Sequence, residues 1–258
     1  MRYSVSSRQQ PEYIQKCDEI KVLWNDRNII FDLVEKYPGK TINLCKYMIH
    51  EGDIDWSEIE TYKRLTQNNF LFGVSLISDI RECINHEINF YYLKTLTTFE
   101  EVRALQDIGA STVIIGGPIF FQMDKLEKID IKKRVVANCA ITDELPRKDG
   151  VVGTWIRPED IDLYEQYVDI IEFQRVNQDQ ERALIRIYVD QHNWPGDLGM
   201  IINDLNYLGV NRMIPPTLAE RRLTCGQRCQ ESNRCHLCWR MLDLADPDLL
   251  KDYQKATQ

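Results

Sequence analysis

The chain carries no excess of positive charge: 32 Lys and Arg stand against 40 Asp and Glu, for a net charge of -8. Broad electrostatic binding along a nucleic-acid backbone is not expected from that balance, although it leaves room for a local basic patch. No run approaches the roughly 18 apolar residues of a membrane span. The opening segment, MRYSVSSRQQ, places no apolar stretch behind its charges, so no secretory signal is expected there. The cytosol (a cytoplasmic location) is the compartment these features suggest. In it the eight cysteines would stay reduced or hold metal rather than pair. Histidine is scarce, and His50, His86 and His192 are isolated, with no metal-ligand spacing between them. No G-x-G-x-x-G follows a strand and no G-x-x-x-x-G-K-S/T occurs, so the usual fingerprints of an open nucleotide-binding sheet are missing.

What is present is a repeating pattern, clearest between Ile88 and Gly117. INFYYLK is short, aromatic and β-branched, as a strand should be. TLTTFEEVRALQDIGA opens with Thr97 and Thr98, a capped helix start, and sets Val102, Leu105 and Ile108 on one helical face before Gly109 ends it. STVIIGG is nearly continuous and apolar, as expected of a strand buried on both faces. Strand, helix, strand is a βαβ unit, the building block of parallel sheets.

The pattern recurs along the chain. Residues 1–16 read as a polar lead-in. EIKVLW (Glu19–Trp24), TINLCKYM (Thr41–Met48) and FLFGVSLI (Phe70–Ile77) read as strands, separated by helical spacing over Asn28–Tyr37 and by a helix capped at Asp55. The unit above supplies strands four and five. RVVANC (Arg134–Cys139), VVGTWIR (Val151–Arg157) and VDIIEFQ (Val168–Gln174) read as strands six to eight. Pro158 opens a helix between the last two, and Gln178–Gln191 forms the final helix. Eight strands alternating with helices over 258 residues point to an α/β fold, a (β/α)8 TIM-type barrel over residues 1–192. An open doubly wound sheet is the rival. Residues 193–258 read as a short C-terminal extension.

That extension holds the sharpest chemical signal. Cys225, Cys229, Cys235 and Cys238 follow a C-x3-C-x5-C-x2-C spacing. Four thiolates so close in sequence can converge on one ion, and thiolates suit zinc and iron–sulfur centres alike. Two disulfides or plain thiols are the bland alternative. Cys17, Cys45, Cys83 and Cys139 are dispersed and read as small buried hydrophobes.

Barrel chemistry sits at the C-terminal ends of the strands. Those ends place Glu172 and Arg157 directly after apolar strand residues, as candidate catalytic groups: a general base and an anion-holding cation. Lys46, Lys94, Asn138 and Arg175 are candidates for holding substrate, and Gly116 and Gly117 would let backbone approach a ligand closely.

The segment TLTTFEEVRALQDIGASTVIIGGPIFFQMDKL and the stretch SNRCHLCWR resemble the corresponding parts of the collagenase-like peptidase family. The resemblance covers the middle of the barrel and the tail. It implies an iron–sulfur cluster, of the 4Fe–4S kind, held by four cysteines, which here would be Cys225, Cys229, Cys235 and Cys238. It also implies oxygen-independent hydroxylation of ubiquinone precursors or RNA bases rather than peptide cleavage. This chain departs from the family in how closely its cysteines are spaced and in their place after the eighth strand.

Two classes of function follow. One is a barrel enzyme with an iron–sulfur or zinc centre, acting on an anionic small molecule or a nucleobase. The other is a non-catalytic scaffold whose zinc-stapled tail, locally basic through Arg221, Arg222, Arg228, Arg234 and Arg240, docks a protein partner.

Overall fold

The computed structural model describes residues 1–47, 52–120, 122–138, 155–173, 177–191 and 201. The expected boundary at 192–193, Arg175 and the four-cysteine segment all lie outside the described residues.

Among the described residues nine strands form one sheet of parallel neighbours: β1 (Arg2–Ser6), β2 (Glu19–Leu23), β3 (Thr41–Lys46), β4 (Phe70–Val74), β5 (Phe90–Tyr92), β6 (Thr95–Leu96), β7 (Thr112–Ile115), β8 (Lys132–Val136) and β9 (Ile170–Glu172). The spatial order is β5-β4-β3-β2-β1-β9-β8-β7-β6. The two ends of that order, β5 and β6, are consecutive pieces of one interrupted stave. Its first half pairs with β4 through Gly73 and Tyr91, and its second half pairs with β7 through Leu96 and Ile115. A bond from the Ser111 amide to the Phe90 carbonyl, 2.8 Å, joins the same neighbours. The sheet therefore returns on itself, and counting the interrupted stave once gives the eight staves of a (β/α)8 barrel.

The helices between the strands are α1 (Pro11–Lys16), α2 (Ile30–Lys36), α3 (Trp56–Leu65), α4 (Ile77–Asn85) and α5 (Phe99–Asp107). Their starts obey local rules. Asp55 accepts a bond from the Ser57 amide at 3.0 Å and caps α3. Thr98 and Glu101 form a reciprocal capping box at the start of α5. Gly109, at φ +84°, takes the left-handed turn that ends α5, a conformation that costs other residues more. The helices cover the outward face of the strands. Phe70 and Phe72 of β4 meet Tyr62 and Trp56 of α3 at ring-centroid distances of 6.1 and 6.2 Å, and Trp24 stacks on Phe72 at 5.9 Å. Ile20, Val22, Ile42 and Leu44 are buried on this same outward face.

Two staves differ from the sequence reading. The polar lead-in is not irregular: Arg2–Ser6 is the first strand, paired with β2 and β9, and Pro11–Lys16 is helical. RYSVS escapes notice because its serines face the barrel interior, where polar groups are bonded. Conversely, Trp155–Arg157, the described part of the expected seventh strand, is irregular. Trp155 and Ile156 are buried, and the Ile156 amide donates to the Ala137 carbonyl, just past β8, at 3.1 Å; the rest of that expected strand, 151–154, lies outside the described residues. Among the described residues the eight staves thus include β1, which the sequence reading had left out.

The chain divides into two compact units. One comprises Met1–Ile115, Ile129–Arg134 and Val168–Glu172, and contains the barrel staves as far as Arg134 of β8. The described part of the other includes α6 (Gly117–Phe120), α7 (Met123–Leu126), a 3-10 turn over Pro158–Asp160, α8 (Ile161–Tyr164) and α9 (Gln178–Tyr188). Within it Phe120 stacks on Tyr164 at 5.5 Å and Phe173 meets Tyr188 at 5.3 Å. The Tyr188 hydroxyl donates to the Ile156 carbonyl, and Asn177 with Gln180 makes a second capping box, at the start of α9. No helix among the described residues is long and apolar enough to cross a membrane.

Candidate active site

Strand parity decides which side chains enter the barrel. In β2, Ile20 and Val22 face the helices, so Glu19 and Lys21 face inward. By the same alternation Ser4, Asn43, Cys45, Tyr91, Arg134 and Glu172 point into the lumen. The bonds from Arg134 to Glu19 and from Asn43 to Tyr91 confirm it, because they join strands that are not neighbours in the sheet.

Arg134 is the hub, with no exposed surface. Its two terminal nitrogens grip Glu19 at 2.8 and 2.7 Å, and one of them also reaches Glu172 at 3.0 Å. Its guanidinium lies over the Tyr91 ring, 4.9 Å from the centroid. Glu19 further accepts from Ser4 Oγ at 2.8 Å and from Asn43 Nδ2 at 2.7 Å. Asn43 Nδ2 also reaches the Tyr91 hydroxyl at 3.1 Å, and Cys45 Sγ lies 3.4 Å from that hydroxyl. Lys21 Nζ is 3.6 Å from Glu172 Oε2 and 5.5 Å from the centre of the Tyr47 ring. Gly73 makes the room: a Cβ there would stand 2.8 Å from Leu93 Cδ2 and 2.9 Å from the Tyr91 ring.

Two carboxylates and two cations neutralise one another inside the barrel, a place usually filled by branched apolar residues. Burial works against the Glu19 charge, yet the Arg134 guanidinium and the bonds from Arg134, Asn43 and Ser4 hold its carboxyl below the ordinary value. Burial likewise opposes the Lys21 charge, but the Glu172 carboxylate outweighs it and raises the lysine above its ordinary range. Lys21 is therefore a fixed ammonium, a donor and point charge rather than a free amine nucleophile. Burial raises the Cys45 thiol above its ordinary value, which makes it an inert packing group. Lys21 is also the most accessible of the four charges, with 15% of its side chain exposed against at most 5% for the others. Beside it stands Tyr47, 38% exposed, just past the C-terminal end of β3.

The residues singled out from the sequence fall in several places. Glu172 ends β9 and belongs to the lumen network. Lys46 has the opposite parity from Cys45 and faces the helix layer, with Nζ 3.5 Å from Asp79 and 5.8 Å from the Trp24 ring centre. Lys94, 56% exposed, bonds the capping-box carboxylate of Glu101 at 2.8 Å. Arg157 is buried and clamps Asp160 through Nε and a terminal nitrogen at 2.6 and 2.8 Å, in the turn that opens α8. Gly116 follows β7 and is buried, Gly117 begins α6, and Asn138 is buried just after β8. Glu172 and Lys46 share the barrel unit, on opposite faces of the sheet, whereas Arg157, Gly116, Gly117 and Asn138 belong to the other unit.

Sequence reading passed over Glu19, Lys21, Asn43, Tyr91 and Arg134. Their signal was a charged or polar residue at every second position of an otherwise apolar strand, as in Glu19-Ile20-Lys21-Val22. Such alternation ordinarily marks a solvent-facing side. Here that side is the lumen. Among the described residues no group of three or more His, Cys, Asp or Glu gathers as a metal site.

No family model matches the chain, and no curated protein matches it. Solved structures do. One, of native KDPGal, aligns with a TM-score of 0.44 at 12% identity over 73% of this chain and 91% of that one. The 3-keto-L-gulonate-6-phosphate decarboxylase of Vibrio cholerae O1 biovar El Tor aligns with a TM-score of 0.42 at 13% identity, over 75% and 99%. A cube-shaped, highly porous protein cage designed by fusing symmetric oligomeric domains aligns with a TM-score of 0.44 at 12% identity, over 73% and 70%. Likenesses of this strength say nothing of this chain's chemistry.

Proposed function

We propose that the protein is a barrel enzyme acting on a small anionic molecule at the C-terminal ends of its strands, with Lys21 as the group that meets the substrate. The observation that carries this reading is the partial exposure of Lys21 at the end of an otherwise sealed charge network. A buried ammonium held in place by Glu172 is preorganised to stabilise negative charge that develops on a bound carboxylate or phosphate ester. Glu172 is then a positioning residue: it keeps the lysine protonated and aimed, while Arg134 fixes Glu172 from behind. Tyr47 adds a hydroxyl beside the ammonium.

The reading extends to the tail. Cys225, Cys229, Cys235 and Cys238 form a donor set of four thiolates, which fits an iron–sulfur cluster or a zinc ion. A cluster would supply electron transfer or bind substrate, whereas a four-thiolate zinc would be closed and structural. The likeness to the collagenase-like peptidase family supports the cluster and an oxygen-independent modification chemistry.

Turnover by the full chain, purified without oxygen and screened by mass spectrometry against phosphorylated and carboxylated small molecules, tests the first part. For any compound consumed, Lys21→Met should lower kcat/KM by about a hundred-fold or more, the loss expected when one donor to developing charge is removed. Activity unchanged in that variant would make the network structural and overturn the role of Lys21, whereas no compound consumed would favour the scaffold reading. Metal analysis tests the second part. Iron or zinc in the wild type should be lost in Cys235→Ser, and full retention would overturn the ligand assignment.

A further inference from the structure

The end of the barrel opposite the proposed catalytic mouth holds a cavity of about 350 Å³, framed by the N-terminal ends of the strands and the loops that lead into them. That volume is at the lower end of small-molecule sites. Two cations stand on its rim, Arg2 at the start of β1 and Lys132 at the start of β8. They flank Ile170 of β9, which pairs directly with Arg2, so their backbones lie two strand spacings apart, on the order of 10 Å. Neither side chain has a carboxylate or hydrogen-bond partner among the described residues. This sets them apart from Lys46, Lys94, Arg134 and Arg157, each of which is paired with an acid.

The remaining wall is polar and neutral. Asn68 and Asn69 come from the turn after α3, where Asn68 adopts a left-handed conformation at φ +70°. Asn89 and Ser111 come from the turns before β5 and β7, and the serine hydroxyl lies 3.4 Å from Asn89 Oδ1. Their backbones are held by the sheet: the Asn69 and Asn89 carbonyls accept from the Ile42 and Phe72 amides at 2.9 Å each. The rim is thus fixed while its side-chain amides stay available. One carboxylate, Glu19, reaches the cavity, but both of its oxygens are engaged by Arg134, so its charge is compensated from within.

Two unpaired cations across a concave, amide-lined site with a neutralised floor match an oxyanion bound with hydrogen bonds from several sides. We propose that this N-terminal end of the barrel is a second ligand site, which binds the phosphate or carboxylate group of a small molecule between Arg2 and Lys132. The site is separate from the mouth at Lys21 and stands whether or not the proposed catalytic role holds.

The test is a titration of the isotope-labelled full chain with inorganic phosphate at low ionic strength, followed by amide chemical shifts. The amides of Asn68, Asn69, Asn89 and Ser111 should move together along one saturating curve. Arg2→Gln and Lys132→Gln should each raise the midpoint about ten-fold, the cost of one charge-assisted hydrogen bond. Lys36→Gln, which removes the same charge from exposed α2, should leave it unchanged. The proposal fails if those four amides do not respond to phosphate. It fails also if the three variants share the wild-type midpoint, or if Lys36→Gln weakens binding as much as the two rim variants, which would reduce the effect to general charge.

Discussion

A single side chain, Arg134, joins the two acidic residues of the barrel interior, and its removal would expose the cost of that arrangement. Its Nε has no hydrogen-bond partner among the described residues, so its stabilising work is done by the two terminal nitrogens on Glu19 and Glu172. Replacing a buried ion pair wholesale with apolar groups is often harmless, but removing one partner strands the other. Arg134→Met leaves Glu19 with only Ser4 and Asn43 and leaves Glu172 with Lys21. Urea unfolding should show a loss on the order of 3–5 kcal/mol. A loss under about 1 kcal/mol would mean that water reaches and solvates the stranded carboxylates, and that the lumen is less sealed than its burial implies.

At the scale of elements, helix starts were the most legible feature of the sequence. Asp55, Thr98 and Pro158 were each placed at the beginning of a helical stretch, and each is found there. The reason is that a cap acts within four residues, through a side chain and the nearest free amides. Thr98→Ala should therefore cost about 1 kcal/mol of stability while Thr98→Asn costs little, as read by thermal or urea unfolding. Equal losses in both variants would assign the effect to packing of the threonine methyl. Strands were legible where their outward face was strongly apolar, as in β4 and β7, and illegible in β1, where only Ser4 and Val5 are buried.

At the scale of the whole molecule, the interior charges make stability depend on pH. Glu19 has a lowered pKa in the folded state, so the unfolded chain binds its proton more tightly. Its contribution is present above the unfolded value, near 4.5, and is lost as the pH falls through the lower folded value. Unfolding free energy should accordingly decline below about pH 4.5, the unfolded value, and Glu19→Gln should flatten that decline. An identical acid limb in wild type and variant would show that other carboxylates govern acid unfolding. Lys21 works in the opposite sense: its raised pKa adds stability below its ordinary value of 10.5, which is lost only as the pH rises through the folded value.

The alternation of α and β elements, the helix caps, the apolar faces turned to the helices and the presence of Glu172 at a strand end were written locally in the chain. Each depends on residues a few positions apart, and local periodicity records such relations. The lumen network was not. Arg134 and Glu19 lie 115 positions apart and meet only because the sheet closes and its stagger brings β8 across from β2. The same closure turned the polar side of β2 and β3 from an apparent solvent face into a buried one, and sent Lys46 to the helix layer while Lys21, on a neighbouring strand, faced inward. Parity along each strand is a property of sequence. Which parity is inside is decided by ring closure, a property of all the staves together.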